Sequence, residues 1–386
     1  MSRTPRIVHV AAVEYTARAL LSPQMTMLQD RGYDVRLVCA PDGPEFGADL
    51  AGFAPATVAF PRSIRPAGMA RALQQFRLVL ADLDPDVVHL HTPSVAMTAR
   101  LLPRRMLPAR TQVLYTVHGF AHVWDRTSLR NTALERIERR LARRTDALLF
   151  QSREDLDEVR SRGYKTSTFY LGNGVQDEWF TGARSGSERV GLRGLFVGRL
   201  VREKGILDLL DALESAGDVA VGVAGAELPT ERDGVGATIT ARAAAAPLAG
   251  RVELLGMLDR PAMRAAHRRC DFLVLPSYRE GVPRSIIEGM ASGLPAVVTD
   301  VRGCRELVRH GHNGFIVPPG EPAALARALQ AMADLSDEEY SAMSEAAYAT
   351  VDEGFRESAV FDRLVAAYRA VGASPPAVPA TVLGGT

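Results

Sequence analysis

Residues 272–300 read FLVLPSYREGVPRSIIEGMASGLPAVVTD, and this stretch decides the fold class. Two short apolar runs, Phe272–Leu275 and Ala296–Thr299, have the length and composition of buried strands. Between them, Arg284–Ser292 has the apolar spacing of a helix. A strand, a helix and a second strand in this order predict a βαβ unit whose two strands are parallel.

The same alternation of short apolar runs and amphipathic stretches extends through the rest of the chain. Helices are predicted between the strands, for example at Thr16–Arg31, Ala67–Asp82 and Lys204–Ser215. The other predicted strands are Arg6–Ala12, Asp34–Ala40, Val87–Leu90, Gln112–Val117, Ala147–Phe150, Thr168–Leu171, Leu192–Val197, Val219–Ala224, Arg251–Leu255 and Phe315–Val317. This pattern predicts an α/β protein with two Rossmann-like doubly wound parallel-sheet domains facing a central cleft.

A loss of periodicity separates the two series of strands. Residues 173–189 are rich in Gly, Ser and Asp, and we predict that they link an N-terminal domain, 1–172, to a C-terminal domain, 190–354. Residues 372–386 are rich in Pro and Ala and lack an apolar face, so they are predicted to be disordered.

The composition excludes several classes of protein. The net charge is +1, with 47% hydrophobic and 24% charged residues, so nothing global favours binding to nucleic acid. No apolar run approaches the ~20 residues of a transmembrane helix, and the N-terminus lacks the apolar core of a signal peptide. Cys39, Cys270 and Cys304 are odd in number and far apart, which indicates free thiols and a cytoplasmic protein.

The run Pro276–Ser292 carries two acids around a helix start. Gly281 and Pro283 open this helix, whose free backbone N–H groups and positive dipole end favour a diphosphate. Glu280 and Glu288 would lie about 10 Å apart along the axis. That is too far for the ~5 Å carboxylate pair of a retaining glycosidase, so the two acids are predicted to bind different hydroxyls. The alternative is a helix-end charge and a solvated acid, which the apolar neighbours of Glu288 disfavour.

A second motif, Gly198–Gly205 (GRLVREKG), directly follows a predicted strand. Arg199 and Lys204 would then lie near the carboxyl end of the sheet, where two cations can neutralise a leaving diphosphate. Lys204 is one of two lysines among 46 basic residues, which argues against a surface-filling role. An exposed basic loop is the alternative.

Two further turns of the second half follow predicted strands. Gly256 and Met257 are predicted to contact a nucleobase through main-chain groups. In Thr299–Glu306 (TDVRGCRE), Gly303 permits a close backbone approach.

Histidines mark two strand ends of the first half. His118, in TVHGF, is expected to face the cleft, and a hydrogen-bonded core histidine is the alternative. His89 and His91, in VHLHTP, share one strand face, but no Asp, Glu or Cys accompanies them nearby. We therefore predict structural or acceptor-loop roles for this pair and no metal.

Together these segments resemble the GT-B glycosyltransferases of family four. The resemblance rests on residues 276–322, on GRLVREKG, on LGNGV at 171–175, and on VVHLHTP and TVHGF. It spans most of residues 6–370 and is most specific in 195–320. The most similar branch contains bacterial enzymes of exopolysaccharide, capsule and lipid-linked oligosaccharide assembly.

The resemblance implies roles for the motif residues. Arg199 and Lys204 would bind the donor diphosphate, Glu288 the ribose hydroxyls and Glu280 the hydroxyls of the transferred sugar, with His118 at the reacting sugar face. The backbone at the helix start would contact the sugar or phosphate, at Gly281, Val282, Pro283, Arg284 and Ser285. The family retains anomeric configuration and usually needs no metal, and the nucleotide sugar is a substrate, so no cofactor is expected. The last helix, residues 355–371, would cross back to the N-terminal domain.

One departure from the family pattern affects the acceptor side. Many members carry a Gly-Gly loop after the first strand, where this chain has Ala11 and Ala12. Residues other than glycine limit positive φ and close backbone approach. Glu14 or Tyr15 is therefore expected to face the acceptor instead, together with His91 and His118.

The expected reaction moves a hexose or N-acetylhexosamine from a nucleotide sugar, with UDP as the expected nucleotide, to a lipid-linked or cell-surface glycan. Residues 126–144 hold seven arginines against two glutamates, which suits an anionic membrane surface and a peripheral location at its inner face. If that helix is merely solvated, a soluble natural product becomes the better acceptor. A nucleotide-sugar epimerase and a non-catalytic sugar-binding protein remain as alternatives.

Overall fold

The computed structural model describes residues 3–61, 66–119, 129–189, 191–227 and 234–375. The chain divides into two compact units. Unit 1 contains Met1–Leu171 and Phe361–Thr386, and unit 2 contains Gly172–Val360. No helix of the described ranges is both long and apolar enough to cross a bilayer.

Unit 1 is built on a parallel seven-stranded sheet of order β3-β2-β1-β4-β5-β6-β7. Its strands are β1 Arg6–Val13, β2 Asp34–Ala40, β3 Ala56–Thr57, β4 Val87–Leu90, β5 Gln112–Val117, β6 Ala147–Phe150 and β7 Ser167–Tyr170. Every residue of β4 and β6 is buried, as expected for central strands covered on both faces. The strand order reverses between β1 and β4, which is the topological switch point of this sheet.

The helices of unit 1 connect these strands. They are α1 Glu14–Thr16, which continues through the π-helical stretch Ala17–Leu21 into α2 Ser22–Asp30, then α3 Pro66–Leu83, α4 Pro93–Ala99, α5 Leu129–Ala142 and α6 Arg153–Ser161. The single helix expected at Thr16–Arg31 is thus interrupted by a wider turn.

Unit 2 has a parallel six-stranded sheet of order β10-β9-β8-β11-β12-β13. Its strands are β8 Arg193–Val197, β9 Ala220–Ala224, β10 Val252–Gly256, β11 Phe272–Leu275, β12 Ala296–Thr299 and β13 Gly314–Val317. Its helices are α7 Ile206–Leu213, α8 Gly236–Ala244, α9 Arg260–Arg268, α10 Arg284–Ala291, α11 Arg302–Arg305, α12 Pro322–Ala333 and α13 Asp337–Asp352. Both sheets therefore have the Rossmann strand order, with the switch point of unit 2 between β8 and β11. The prediction of two Rossmann-like domains is confirmed.

The segment predicted to be a linker packs within unit 2. The Arg184 guanidinium donates to the carbonyl oxygens of Ser292, Cys270 and His267 at 2.9, 2.8 and 3.0 Å. The Gly186 N–H donates to Ser341 Oγ at 2.8 Å. Loss of periodicity at residues 173–189 thus reflects irregular backbone that is held by side-chain hydrogen bonds.

The last helix is divided between the two units. Helix α14, Glu357–Ala370, begins in unit 2, and its residues from Phe361 onward belong to unit 1. Of the predicted disordered tail, residues 376–386 lie outside the described residues.

Candidate functional site

The switch point of unit 2 brings together two side chains that the sequence selected separately. The Lys204 ammonium, after β8, donates to Glu280 Oε1, after β11, at 2.7 Å. The Ser277 hydroxyl donates to the same oxygen at 2.6 Å. The Glu280 side chain is 8% exposed and that of Lys204 is 20% exposed. A charge-assisted pair in this position fixes both groups where a parallel sheet binds its ligand.

Glycines allow the loops of this site to touch. Gly205 has φ +68°, and a Cβ there would lie 1.9 Å from the carbonyl oxygen of Pro276. A Cβ on Gly303 would lie 0.9 Å from the carbonyl oxygen of Gly281. The close approach expected at Gly303 is therefore made by the loop that precedes α10. These two contacts set the loops after β8, β11 and β12 against one another.

The start of α10 lies in the run that the sequence selected as an anion site, and that role stays a prediction. Pro283 occupies the N-cap with φ −72°, one position before the helical residues, and none of the described side chains caps this end. The Asn173 side-chain amide donates to the carbonyl oxygen of Val282 at 2.7 Å and fixes the approach to the helix. Gly281 and Ser285 are half-buried. The uncapped N-terminus presents backbone N–H groups and a positive dipole end.

Glu288 is a mostly buried carboxylate on α10. Its side chain is 17% exposed, and the nearest nitrogen of Arg284, Nε, is 3.9 Å from its Oε1. Burial raises the pKa of Glu288 to about 7, while the charges of Arg284 and Arg260 act in the opposite direction. The acid therefore titrates near neutrality, and hydroxyl donors to the carboxylate would favour its charged form.

The remaining donor-side residues are more exposed. Arg199 lies exposed in the loop between β8 and Lys204. Met257 is 66% exposed and directly follows Gly256, which has φ +66°. Val282 is buried, with 4% of its surface exposed. The structure thus groups Lys204 and Glu280 by direct contact, and it places Arg199 and Met257 at the ends of β8 and β10.

In unit 1 the structure gathers three histidines where the sequence had indicated two. His9 of β1 lies beside His89 of β4 and His91, and all three are at most 1% exposed. His9 Nδ1 is 3.0 Å from His91 Nε2. The His118 ring centroid lies 5.9 Å from that of His91. His9 was missed because nothing local in β1 predicts which strand becomes its neighbour.

Burial keeps these rings neutral. It lowers the pKa of His9 to about 3 and that of His118 to about 4. Burial, reinforced by the neighbouring histidines, lowers the pKa values of His89 and His91 well below their ordinary value. The cluster therefore offers lone pairs and N–H donors without a charge at neutral pH.

The spacing of the cluster could also suit a metal ion. One nitrogen from each of His9, His89 and His91 lies within 4.8 Å of the others. Both nitrogens of His89 are already 2.7 Å from hydroxyl oxygens, those of Tyr368 and Thr116. A metal would have to displace one of these hydrogen bonds, and the absence of a metal stays a prediction.

The Glu14 carboxylate is hydrogen-bonded within unit 1. It accepts from the N–H groups of Gly47 and Asp42 at 2.8 and 3.1 Å and from Arg18 at 2.5 Å. These backbone donors, with Arg18, hold its pKa below the ordinary value although burial opposes them. Glu14 therefore anchors the loop at 42–47, while Tyr15 is 53% exposed.

The residues that stand where many members of the family carry a Gly-Gly loop are part of β1. Ala11 and Ala12 lie within this strand, and Ala11 is fully buried. Neither residue is among the non-glycine residues with positive φ. The conformation agrees with the constraint that a Cβ imposes.

The arginine-rich region of unit 1 includes an exposed face of α5. Arg136, Arg139, Arg140 and Arg143 surround Ile137, which is 46% exposed. Of the two acids in this region, Glu138 pairs with Arg100 and Glu135 with Arg162. Those pairs leave the face around Ile137 basic. Arg126, at the start of the region, lies outside the described residues.

Comparisons with known proteins agree with this architecture. The family models described as "Glycosyl transferase 4-like domain" and "Glycosyl transferases group 1" match residues 19–174 and 192–350. The putative glycosyltransferase EpsD of Bacillus subtilis is 28% identical over 352 residues, 85% of this chain and 87% of that protein.

Solved structures that share the fold include the following two. Sucrose-phosphate synthase of Thermosynechococcus elongatus has a TM-score of 0.78 at 19% identity, covering 95% of this chain and 99% of that one. Anabaena HepE in complex with UDP and glucose has a TM-score of 0.75 at 19% identity, covering 95% of this chain and 100% of that one.

Proposed function

Since the chain belongs to the GT-B glycosyltransferases of family four, we propose that it is a retaining enzyme using a UDP-sugar bound by unit 2. The transferred sugar is a hexose or N-acetylhexosamine, and the acceptor is a lipid-linked or cell-surface glycan. The observation that carries the donor assignment is the Lys204–Glu280–Ser277 cluster beside the uncapped start of α10. The Anabaena neighbour, whose complex contains UDP and glucose, supports a UDP-sugar.

The donor phosphates would be held by positive groups. The Lys204 ammonium has three N–H donors, so it can keep its bond to Glu280 and still donate to a phosphate oxygen. Arg199 and the N–H groups at the start of α10 would complete the cradle. These fixed charges would stabilise the leaving diphosphate as it departs, which is preorganised electrostatic catalysis.

The two acids would bind the transferred sugar and the ribose separately. The Glu280 carboxylate, oriented by Lys204 and Ser277, would accept from hydroxyls of the transferred sugar. Glu288, mostly buried and with its nearest arginine nitrogen 3.9 Å away, would accept from the ribose hydroxyls. We propose front-side displacement through an oxocarbenium-like transition state, with His118 at the reacting sugar face and with neither metal nor cofactor.

The basic face of α5 supports a membrane-side acceptor. Four arginines around an exposed isoleucine match an anionic lipid surface, because cations bind lipid headgroups and the apolar side chain enters the interface. On this proposal the enzyme works peripherally at the inner face of the membrane. A protein that ignores anionic vesicles would favour the soluble natural-product acceptor instead.

The function is tested with a panel of nucleotide sugars. UDP-glucose, UDP-N-acetylglucosamine, UDP and GDP-mannose are added to the protein, and its melting temperature is measured. A ligand that binds the folded protein alone raises that temperature. We expect the UDP compounds to raise it, and NMR of the product formed from the active donor to show the α-configuration retained. If GDP-mannose alone raises the melting temperature, the donor nucleotide is GDP and not UDP. An inverted product would contradict the retaining mechanism. Conversion of the donor to its epimer would make the chain an epimerase.

A further inference from the structure

The histidine cluster of unit 1 lies at the topological switch point of its sheet. His9 is on β1, His89 is on β4, and the N–H of His91, directly after β4, donates to the Val10 carbonyl at 2.9 Å. Sheets of this kind bind ligands at the carboxyl ends of the strands on either side of the reversal. The donor chemistry proposed for unit 2 makes no use of these three residues.

One chain of close contacts connects the cluster to α14. The Tyr368 hydroxyl oxygen is 2.7 Å from His89 Nδ1 and 3.5 Å from His9 Nε2. His89 Nε2 is 2.7 Å from Thr116 Oγ1, and His9 Nδ1 is 3.0 Å from His91 Nε2. This chain of contacts therefore runs from Thr116 through His89, Tyr368 and His9 to His91.

Two directions of proton donation fit this chain of contacts, because His89 Nδ1 and Nε2 are both 2.7 Å from a hydroxyl oxygen. The direction that starts from the Thr116 hydroxyl would end with a proton on His91 Nδ1. In the other direction, the one Tyr368 proton lies on the contact to His89 Nδ1. Neutral His89 then carries its proton on Nε2 and donates to Thr116. The Tyr368 oxygen offers only lone pairs to His9, so the proton of His9 is on Nε2. His9 Nδ1 is left to accept from the Nε2–H of His91.

This assignment leaves a bare lone pair on His91 Nδ1. The atom is buried and has no hydrogen-bond partner among the described residues. The same holds for Oγ1 of the next residue, Thr92. A buried polar atom without a partner costs about 1–3 kcal/mol, so each of these two atoms is a candidate to bind a ligand hydroxyl.

We propose that His91 Nδ1 and Thr92 Oγ1 form a hydroxyl-binding subsite, and that Tyr368 is a positioning residue that holds His91 in its acceptor tautomer through His9. The ligand class is an uncharged polyol, such as a sugar. An anion is excluded because His91 Nδ1 would oppose it with a lone pair and the ring carries no charge. The proposal rests on the proposed function in one respect: this hydroxyl belongs to the acceptor of the glycosyl group.

The tautomers are tested directly by NMR on protein labelled with ¹⁵N-histidine. Long-range ¹⁵N–¹H spectra distinguish a protonated ring nitrogen from a bare one, and a His91→Gln variant assigns the His91 signals. We expect the Nε2–H tautomer for His9, His89 and His91. Added D-glucose, N-acetyl-D-glucosamine or glycerol should shift the His91 Nδ1 signal in the direction of an accepted hydrogen bond.

Tyr368→Phe removes one hydroxyl and keeps the ring. In this variant His91 should populate both tautomers, and the polyol that shifts its signal should bind about 2–10-fold more weakly, the effect of one neutral hydrogen bond. Tyr340→Phe is the matched control, because Tyr340 is equally buried and its hydroxyl donates to the Asp271 carbonyl oxygen in unit 2 at 2.8 Å. The control should leave the His91 signals and polyol binding unchanged.

Three results would overturn the proposal. They are a proton on His91 Nδ1 in the wild type, a His91 signal that responds to none of the three polyols, and Tyr368→Phe spectra identical to those of the wild type. Zinc found in the purified protein, with EDTA changing the signals of all three histidines, would make the cluster a metal site instead. The donor assay reports separately: if no nucleotide sugar binds, the proposed function fails while the tautomers stand. If UDP-sugars turn over and His91 ignores polyols, the subsite alone fails.

Discussion

The two units place opposite chemistry on the same scaffold. Both sheets reverse their strand order between the first and fourth strands, and both place polar side chains on those strands or in the loops that follow them. In unit 2 these are the charged pair Lys204 and Glu280. In unit 1 they are neutral histidines joined through Tyr368. On our two proposals, the strand order sets where a ligand binds, and the side chains decide whether that ligand is an anion or an alcohol.

The largest expected effect on turnover comes from removing the Lys204 ammonium of unit 2. We expect Lys204→Ala to lower kcat by about 10²–10³-fold, because fixed charge on a leaving group typically contributes that much. Lys165→Ala is the matched control, since Lys165 is the other lysine of the chain and is exposed. Initial rates with the best donor of the nucleotide-sugar panel give the comparison.

Loss of fold must be separated from loss of catalysis in that variant. Lys204→Ala leaves the Glu280 carboxylate buried without its cation, which destabilises the protein. The double variant Lys204→Ala with Glu280→Gln removes that unpaired charge, so its stability to urea should recover while its turnover stays low. Turnover near the wild-type value in a folded Lys204→Ala protein would remove the proposed diphosphate role.

The backbone contact between two loops of unit 2 gives the next largest effect. Gly303→Ala places a Cβ 0.9 Å from the Gly281 carbonyl oxygen, so the backbone itself must move. We expect a loss of about 3 kcal/mol of unfolding free energy, the upper range for overpacking, together with weaker donor binding. Gly52→Ala is the control, because a Cβ there meets nothing within 4 Å. Equal urea midpoints for the two variants would contradict the contact.

The buried acid of α10 should make stability fall with rising pH. Burial raises the pKa of Glu288 to about 7 from its ordinary value of 4.5, so between these values the folded state binds more protons than the unfolded state. Unfolding free energy should therefore decrease from pH 4.5 to 7, by at most about 3 kcal/mol from this group. Urea denaturation across this range measures the slope, and Glu288→Gln should remove it.

The pH dependence of UDP binding gives a second test of Glu288. Ribose hydroxyls that donate to the Glu288 carboxylate would stabilise its charged form and lower its pKa, so UDP should bind more tightly above pH 7 than at pH 5.5. In Glu288→Gln this pH dependence should shrink to the part contributed by the terminal phosphate of UDP, which itself titrates at about pH 6. Equal pH dependence in the wild type and the variant would assign the ribose contact to another residue.

The sequence predicted the fold well because strand and helix periodicities are local. The predicted strand Gln112–Val117 is observed with the same bounds, and Phe272–Leu275 likewise. The two-residue strand Ala56–Thr57 and the short helix α4 were missed, since neither is long enough to show a period. What stayed hidden was pairing across strands: His9 with His91, and Lys204 with Glu280. Such contacts depend on which strands become neighbours, and single-strand patterns do not specify that.

The smallest expected effect concerns the basic face of α5 in unit 1. If this face contacts anionic lipid, each arginine near the surface should contribute about 1 kcal/mol of binding, so Arg139→Ala with Arg140→Ala should weaken binding to phosphatidylserine-containing vesicles by roughly 30-fold. Arg327→Ala, an exposed arginine of unit 2, should leave binding unchanged. Vesicle sedimentation at low and high salt gives the measurement, because screening should weaken the wild type more than the double variant. Equal sedimentation of all three proteins would contradict the membrane contact, and a soluble acceptor would then fit unit 1 better.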